Sequence, residues 1–120
     1  MSWFGSGTIQ QLVNYMDVTS LREKLTAGNI ANIDTPGYRT VDLNFQQALR
    51  QADQGIGGAA LAPQIIQVKG LLERPDGNNV SLDRESIILA GVQMEYRTTV
   101  TLLREEFKEI NMAINANGGA

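Results

Sequence analysis

The sequence predicts a mainly α protein. Long N- and C-terminal helices pair as an antiparallel coiled coil, joined by a small loop-rich region with minor β. Three observations carry this. The last third of the chain holds a heptad seam. The first 33 residues hold a helical pattern with apolar residues on two faces. All three prolines, and many glycines, fall between residues 34 and 80. The predicted organisation is an N-terminal helix within 1–33, a turn-rich middle at 34–80 and a C-terminal helix within 81–120, all in one structural unit. At 120 residues the chain has the length of a single domain.

The first helix is predicted from about Thr8 to Ile33, with Thr8 as N-cap. Ile9, Leu12, Val13 and Met16 share one face at helical spacing. Val18, Leu21 and Leu25 fall on nearly the opposite face, and Ala27 and Ile30 return toward the first. A helix apolar on two faces touches two sets of neighbours.

The middle is read more coarsely. "VDLNFQQALRQA" (41–52) is a candidate short amphipathic helix, and "QGIGGAALAP" (54–63) a flexible loop. "QIIQV" (64–68) is a short strand, with "GLLER" a possible second, and "RPDGNNV" (74–80) is a turn cluster.

The last helix is predicted from about Arg84 to Ile114. Asp83 is its expected N-cap, with Leu82 stapled onto Ile87. Leu89, Val92, Tyr96, Thr99, Leu103, Phe107, Ile110 and Ile114 recur at steps of 3, 4, 3, 4, 4, 3 and 4. That is a heptad seam with one stutter. The opposite face carries Arg84, Glu95, Arg104, Glu105 and Lys108. "NANGGA" then reads as a fraying end, with Gly118 and Gly119 as stop signals.

Composition narrows the function. Cysteine and histidine are both absent, which removes disulfides, thiolate metal sites and the commonest general base. Ten basic and thirteen acidic side chains give a net charge of −3, with no basic cluster for nucleic acid. "MSWFGSGTIQQ" has no cleavable signal-peptide pattern. "GIGGAA" (55–60) matches a dinucleotide fingerprint on letters alone, but no strand leads into it and Pro63 soon follows, so a flexible loop is the simpler reading. Asp83 and Glu85 read as helix-capping groups, and Glu105, Glu106 and Glu109 as a solvated face. No convergent set of groups suggests an enzyme, a cofactor, a metal or a small-molecule substrate. The heptad seam asks for helical partners, and Val100, Leu102 and Met112 ask for cover beyond one neighbouring helix.

The stretch "GNIANIDTPGYR" (28–39) is the most unusual in the chain. Ala27, Gly28 and Ala31 keep the helix surface low. Asn29 and Asn32 carry amides suited to capping carbonyls or bonding to a neighbour. Thr35-Pro36-Gly37-Tyr38 has Pro and Gly at the centre of a type II turn. A helix stop explains Pro36 and Gly37. It does not explain two asparagines three residues apart.

"NIANIDTPGYR" resembles the signature of the flagellar basal-body rod and hook proteins. The resemblance extends through "SGTIQQLVNYMDV" and "GNNVSLDRESIILAGVQMEYRTTVTLLREEF", where it is greatest to the proximal rod member of that family. Residues 41–76 are short and glycine-rich for it. The resemblance implies a structural subunit of the proximal rod that assembles helically through its terminal helices and helps transmit torque from motor to hook. It implies export through the flagellar type III apparatus without a cleaved signal, a place in the periplasm-spanning rod, and partners among other rod and basal-body subunits and further copies of the chain. Asn29, Ala31, Asn32, Thr35, Pro36, Gly37 and Tyr38 match the motif and are expected to shape subunit contacts. Leu89, Val92, Tyr96, Leu103, Phe107 and Ile110 are expected to add the seam. From the residues alone, a helical-hairpin adaptor or chaperone-like binding module is the alternative.

Overall fold

The computed structural model describes residues 6–54 and 63–118. Its order is α1 (Ser6–Ala31), β1 (Val41–Leu43), α2 (Phe45–Asp53), β2 (Ile65–Gln67) and α3 (Leu82–Gly118). The fold is mainly helical, as expected, and long: its principal extents are 72 × 28 × 18 Å. Helices α1 and α3 run antiparallel, since Asn29 meets Glu85 near one end while Thr8 and Leu102 line one groove near the other.

Local chemistry moves several boundaries. Helix α1 begins before Thr8, which therefore lies inside the helix rather than at its cap. It ends at Ala31, and Asn32–Ile33 form the turn that follows. Helix α3 starts at Leu82, not Arg84, because Ser81 rather than Asp83 is the cap: the Ser81 Oγ accepts from the Arg84 N–H at 3.2 Å. Asp83 sits in the first turn, where its charge suits the helix dipole. Leu82 and Ile87 are 51% and 73% exposed, so they form no buried staple. At the far end α3 runs through Gly118 rather than stopping at Ile114.

In the middle, the helix expected at 41–52 divides. Residues 41–43 are strand β1, and Asn44 caps α2 by accepting from the Gln47 N–H at 3.1 Å. Strand β2 pairs antiparallel with β1, Val41 opposite Gln67 and Leu43 opposite Ile65. The "GLLER" segment is not its partner and forms no strand. The loop expected at 54–63, with "GIGGAA", lies almost wholly outside the described residues, as does Gly119.

The apolar core is small. Val18, Leu43 and Ala48 are buried together, with Leu21, Leu25, Phe45 and Ala52 packed against them. Thus the Val18–Leu21–Leu25 face of α1 covers α2 and β1. The Tyr15 and Phe45 rings meet edge to face at 5.3 Å. Small residues seven positions apart are buried on both long helices, Thr19 and Thr26 on α1 and Val92 and Thr99 on α3. Among the described residues, nine buried side chains are polar and five apolar. Hydrogen bonding, more than apolar burial, therefore fixes the arrangement of the elements.

Candidate functional site

The polar interior is concentrated where α1 ends, at the stretch the sequence singled out. Thr35–Tyr38 is a closed turn, with the Tyr38 N–H donating to the Thr35 carbonyl at 3.2 Å and Gly37 at φ +74°. A positive φ at this position suits glycine. The second turn packs on it. Gly77 has φ +87°, and a Cβ there would come 3.3 Å from the Gly37 Cα. The Gly37 N–H donates to the Asp76 carbonyl at 2.8 Å. The close approach thus restricts Gly77, while a Cβ on Gly37 would meet nothing within 4 Å and that glycine is required by its φ alone.

Asn29 is fully buried. Its Nδ2 donates to the Val41 carbonyl at 2.8 Å, and its Oδ1 accepts from the Val41 N–H at 3.1 Å. A primary amide has the donor and acceptor of a peptide group. Asn29 therefore satisfies β1 on the edge opposite β2, as another strand would. The same Nδ2 also reaches Glu85 Oε1, and the Tyr38 hydroxyl donates to Oδ1 at 3.3 Å.

Glu85 is likewise fully buried. The helix-capping role read from the sequence is corrected: its second oxygen accepts from Arg84, and the carboxylate ties α3 to α1. Arg84 also reaches Asp42 at 3.0 Å, and Arg22 of α1 reaches the same carboxylate through two nitrogens, each at 3.2 Å. Burial pushes the Asp42 carboxyl up. The Arg22 hydrogen bond and charge, the Leu43 N–H and Arg84 outweigh it and hold its pKa below the usual value. One continuous network thus joins α1, β1 and α3.

A second clamp closes the α1 terminus. The Asn78 Nδ2, fully buried, donates to the carbonyls of Asn32, Ile33 and Thr35 at 2.9, 3.0 and 2.9 Å. Arg74 donates to the Ile33 and Val80 carbonyls. The carbonyls of Asn32, Ile33 and Thr35 belong to the turn just beyond Ala31, and that of Val80 to the segment leading into α3. Asn32 contributes locally: its Nδ2 donates to the Gly28 carbonyl at 2.8 Å and its Oδ1 accepts from Thr35 at 3.1 Å.

The motif residues therefore share one place but not one environment. Asn29 is enclosed, Asn32 and Tyr38 are half-buried, and Ala31, Thr35, Pro36 and Gly37 are exposed. The α3 residues are strung along the helix away from them. Val92 is buried, Leu89, Tyr96, Leu103 and Ile110 are half-buried, and Phe107 is 52% exposed. Sequence reasoning missed Arg22, Asp42, Arg74, Asn78 and Asn79. The available signal was the density of amides in "GNNV" beside a glycine turn. Asn79 Oδ1 accepts from the Thr40 N–H at 2.7 Å.

Chemically, this junction binds backbone to backbone and leaves no open pocket of reactive groups. Among the described residues no three acidic side chains stand where they could hold a metal ion, and no helix is long and apolar enough to cross a membrane.

No family model matches the chain. Curated relatives do. The chain is 31% identical to the flagellar basal body rod protein FlgB of Aeromonas hydrophila, over 82% of its own length and 86% of that protein's. It is 30% identical to FlgB of Borrelia hermsii over 83% and 90%, and 29% identical to FlgB of Bacillus subtilis over 95% and 97%. The Bacillus subtilis alignment covers 95% of the chain and so takes in both long helices and the asparagine-rich turn between them, and the chain belongs to the FlgB family of flagellar basal body rod proteins.

Proposed function

We propose that the chain is a structural, non-catalytic subunit of the proximal rod of the flagellar basal body. It assembles helically through its terminal helices and helps carry torque from motor to hook. The observation that carries this is the division of the helical pair. One end is sealed by hydrogen bonds within the chain, while α3 leaves Ile87, Met94, Phe107, Met112 and Ile114 between 52% and 73% exposed. These side chains lie on two sides of α3, Ile87, Met94 and Met112 on one and Phe107 and Ile114 on the other. Large exposed apolar groups of this kind mark surfaces that are covered in an assembly. Family membership supports a rod as that assembly. The relatives are named as rod proteins, and the adaptor reading has no such support.

In this proposal Leu103, Phe107 and Ile110, with the exposed Ala31, Thr35, Pro36 and Gly37, touch neighbouring subunits. Leu89, Val92 and Tyr96 continue the same seam inward. Asn29, Asn32 and Tyr38 act on those contacts by holding the turn in shape. The neighbours are other rod and basal-body subunits and further copies of the chain. The route to the rod is the flagellar type III export apparatus, without a cleaved signal, and the place is the periplasm-spanning rod. The test is deletion of the gene followed by imaging of isolated basal bodies. The expected result is an absent or truncated rod, restored by the wild-type gene. A normal rod in the deletion strain would sink the proposal.

A further inference from the structure

Helices α1, α2 and α3 enclose a groove of about 700 Å³. Its apolar lining comes from Leu12 and Tyr15 of α1, Leu49 of α2 and Met94 and Leu102 of α3. Met94 is 69% exposed. We propose that this groove receives the free C-terminal part of α3 from a second copy of the chain. The proposal deepens the rod reading and rests on it.

The first argument is length. Helix α3 has 37 residues and α1 has 26. Antiparallel pairing from the Asn29–Glu85 contact brings the start of α1 level with about residue 108 of α3, at equal rise per residue. The seam that pairs the two helices does not stop there. Phe107, Ile110 and Ile114 continue it at steps of three and four, with Phe107 52% and Ile114 60% exposed. Among the described residues, the ridge from Ile110 onward has run beyond α1, and a groove of helical width elsewhere would receive it.

The second argument is Gly91, which also lines the groove. Glycine is among the poorest helix formers. Here it sits inside α3 with no positive φ, and a Cβ would meet nothing within 4 Å. Among the described residues, nothing stands close enough to require the missing side chain. A helix lying in the groove would use the space.

The third argument is charge. The charged residues lining the groove are Asp53 and Glu95, both acidic. Glu95 lies close enough to Tyr15 that, after burial, its charge and hydrogen bond help raise the phenol pKa, while its Oε2 accepts no hydrogen bond. The end of α3 carries Arg104 and Lys108 on one flank of the Phe107–Ile110–Ile114 ridge and Glu105, Glu106 and Glu109 on its other sides, so only the basic flank suits an acidic wall. Basic side chains on the incoming helix would meet acids on the groove wall. Groove and ridge are different surfaces of one chain, so the contact is heterologous. A heterologous contact that does not close into a ring builds a helical filament. That favours a second copy over an unrelated partner.

The chain has no cysteine, so the test can use disulfide trapping. Met94→Cys is made in one copy and Phe107→Cys in another. Leu72→Cys, at a site 91% exposed and outside the groove, is the control partner. Mixed at high concentration under mild oxidant, the Met94→Cys and Phe107→Cys chains are expected to form a disulfide-linked dimer at least tenfold faster than the Met94→Cys and Leu72→Cys chains. Gly91→Leu, which fills the groove, should abolish that preference while leaving the melting temperature of the isolated chain unchanged or raised. Equal rates for the two pairs, or a preference untouched by Gly91→Leu, would overturn the proposal. So would trapping of Met94→Cys only on a different protein in isolated basal bodies. The rod reading is scored separately, by whether the wild-type chain is present in those basal bodies. Its absence there with the disulfide preference intact would remove the rod and keep the groove.

Discussion

The two ends of the α1–α3 pair solve opposite problems. At the junction end, Asn29, Asn78 and Glu85 are fully buried and their polar atoms are met by partners in the same chain. At the far end, Phe107, Met112 and Ile114 are apolar and more than half exposed. The junction fixes one geometry, because a buried polar group has few arrangements that leave nothing unpaired. The far end leaves its apolar area exposed. An assembly of the kind proposed needs both. The part that sets the subunit's shape is then separate from the surface that would meet a neighbour.

Replacement of Glu85 by Ala is the largest expected way to break this contrast. It removes a buried carboxylate that joins Asn29 and Arg84, and should destabilise the isolated subunit by about 3–5 kcal/mol. Urea unfolding of the purified chain measures it. A loss below 1 kcal/mol would mean the junction is not what fixes the fold.

Asn29→Ala comes next. From the sequence alone the expectation is that Asn29 bonds a neighbouring subunit and that its loss leaves the monomer unchanged, against about 1 kcal/mol for a helix cap. The structure corrects this, since its bonds lie within the chain. With the amide enclosed and pairing both backbone groups of Val41, the expected loss in the isolated subunit is instead about 2–3 kcal/mol. Asn32→Ala, at a half-buried site with local partners, should cost about 1 kcal/mol. Comparing the two melts shows whether the asparagines act differently, as their burial indicates.

Acid should act on the same end. The folded pKa of Asp42 lies below its ordinary value of about 3.9. Its pairing therefore contributes fully above about pH 4 and is lost as the pH falls further, through the folded value. Asp42→Asn should flatten that part of the stability profile and leave the profile above pH 5 parallel to that of the wild type. A wild-type profile that stays level below pH 4 would contradict the role given to Arg22 and Arg84.

The far end should respond in reverse. Phe107→Asp should change the stability of the isolated chain by no more than about 0.5 kcal/mol, since the site is exposed, yet abolish swimming. Lys108→Glu should be as quiet in the melt and much milder in the swimming assay. Full motility with Asp at 107 would show that the far end faces solvent in the rod.

The amino-acid sequence by itself determined the two long helices, the Thr35–Tyr38 turn and the family. These rest on local rules. Heptad spacing reports a helix face whatever it packs against, and a glycine after proline reports a turn with positive φ. The signature around Asn29 and Asn32 was legible as well, although its work was not. Only the tertiary structure decided that Glu85 is buried, that residues 41–43 are a strand, that Ser81 caps α3 and that an asparagine completes the strand edge. The physical reason is distance along the chain. Asn29 and Glu85 are 56 residues apart, and Asn78 lies 43 to 46 residues from the carbonyls it holds. A glutamate read among its sequence neighbours is a solvated helix residue. It becomes an interior one when folding brings an amide and a guanidinium to it, because a buried charge is tolerated only where such partners meet it.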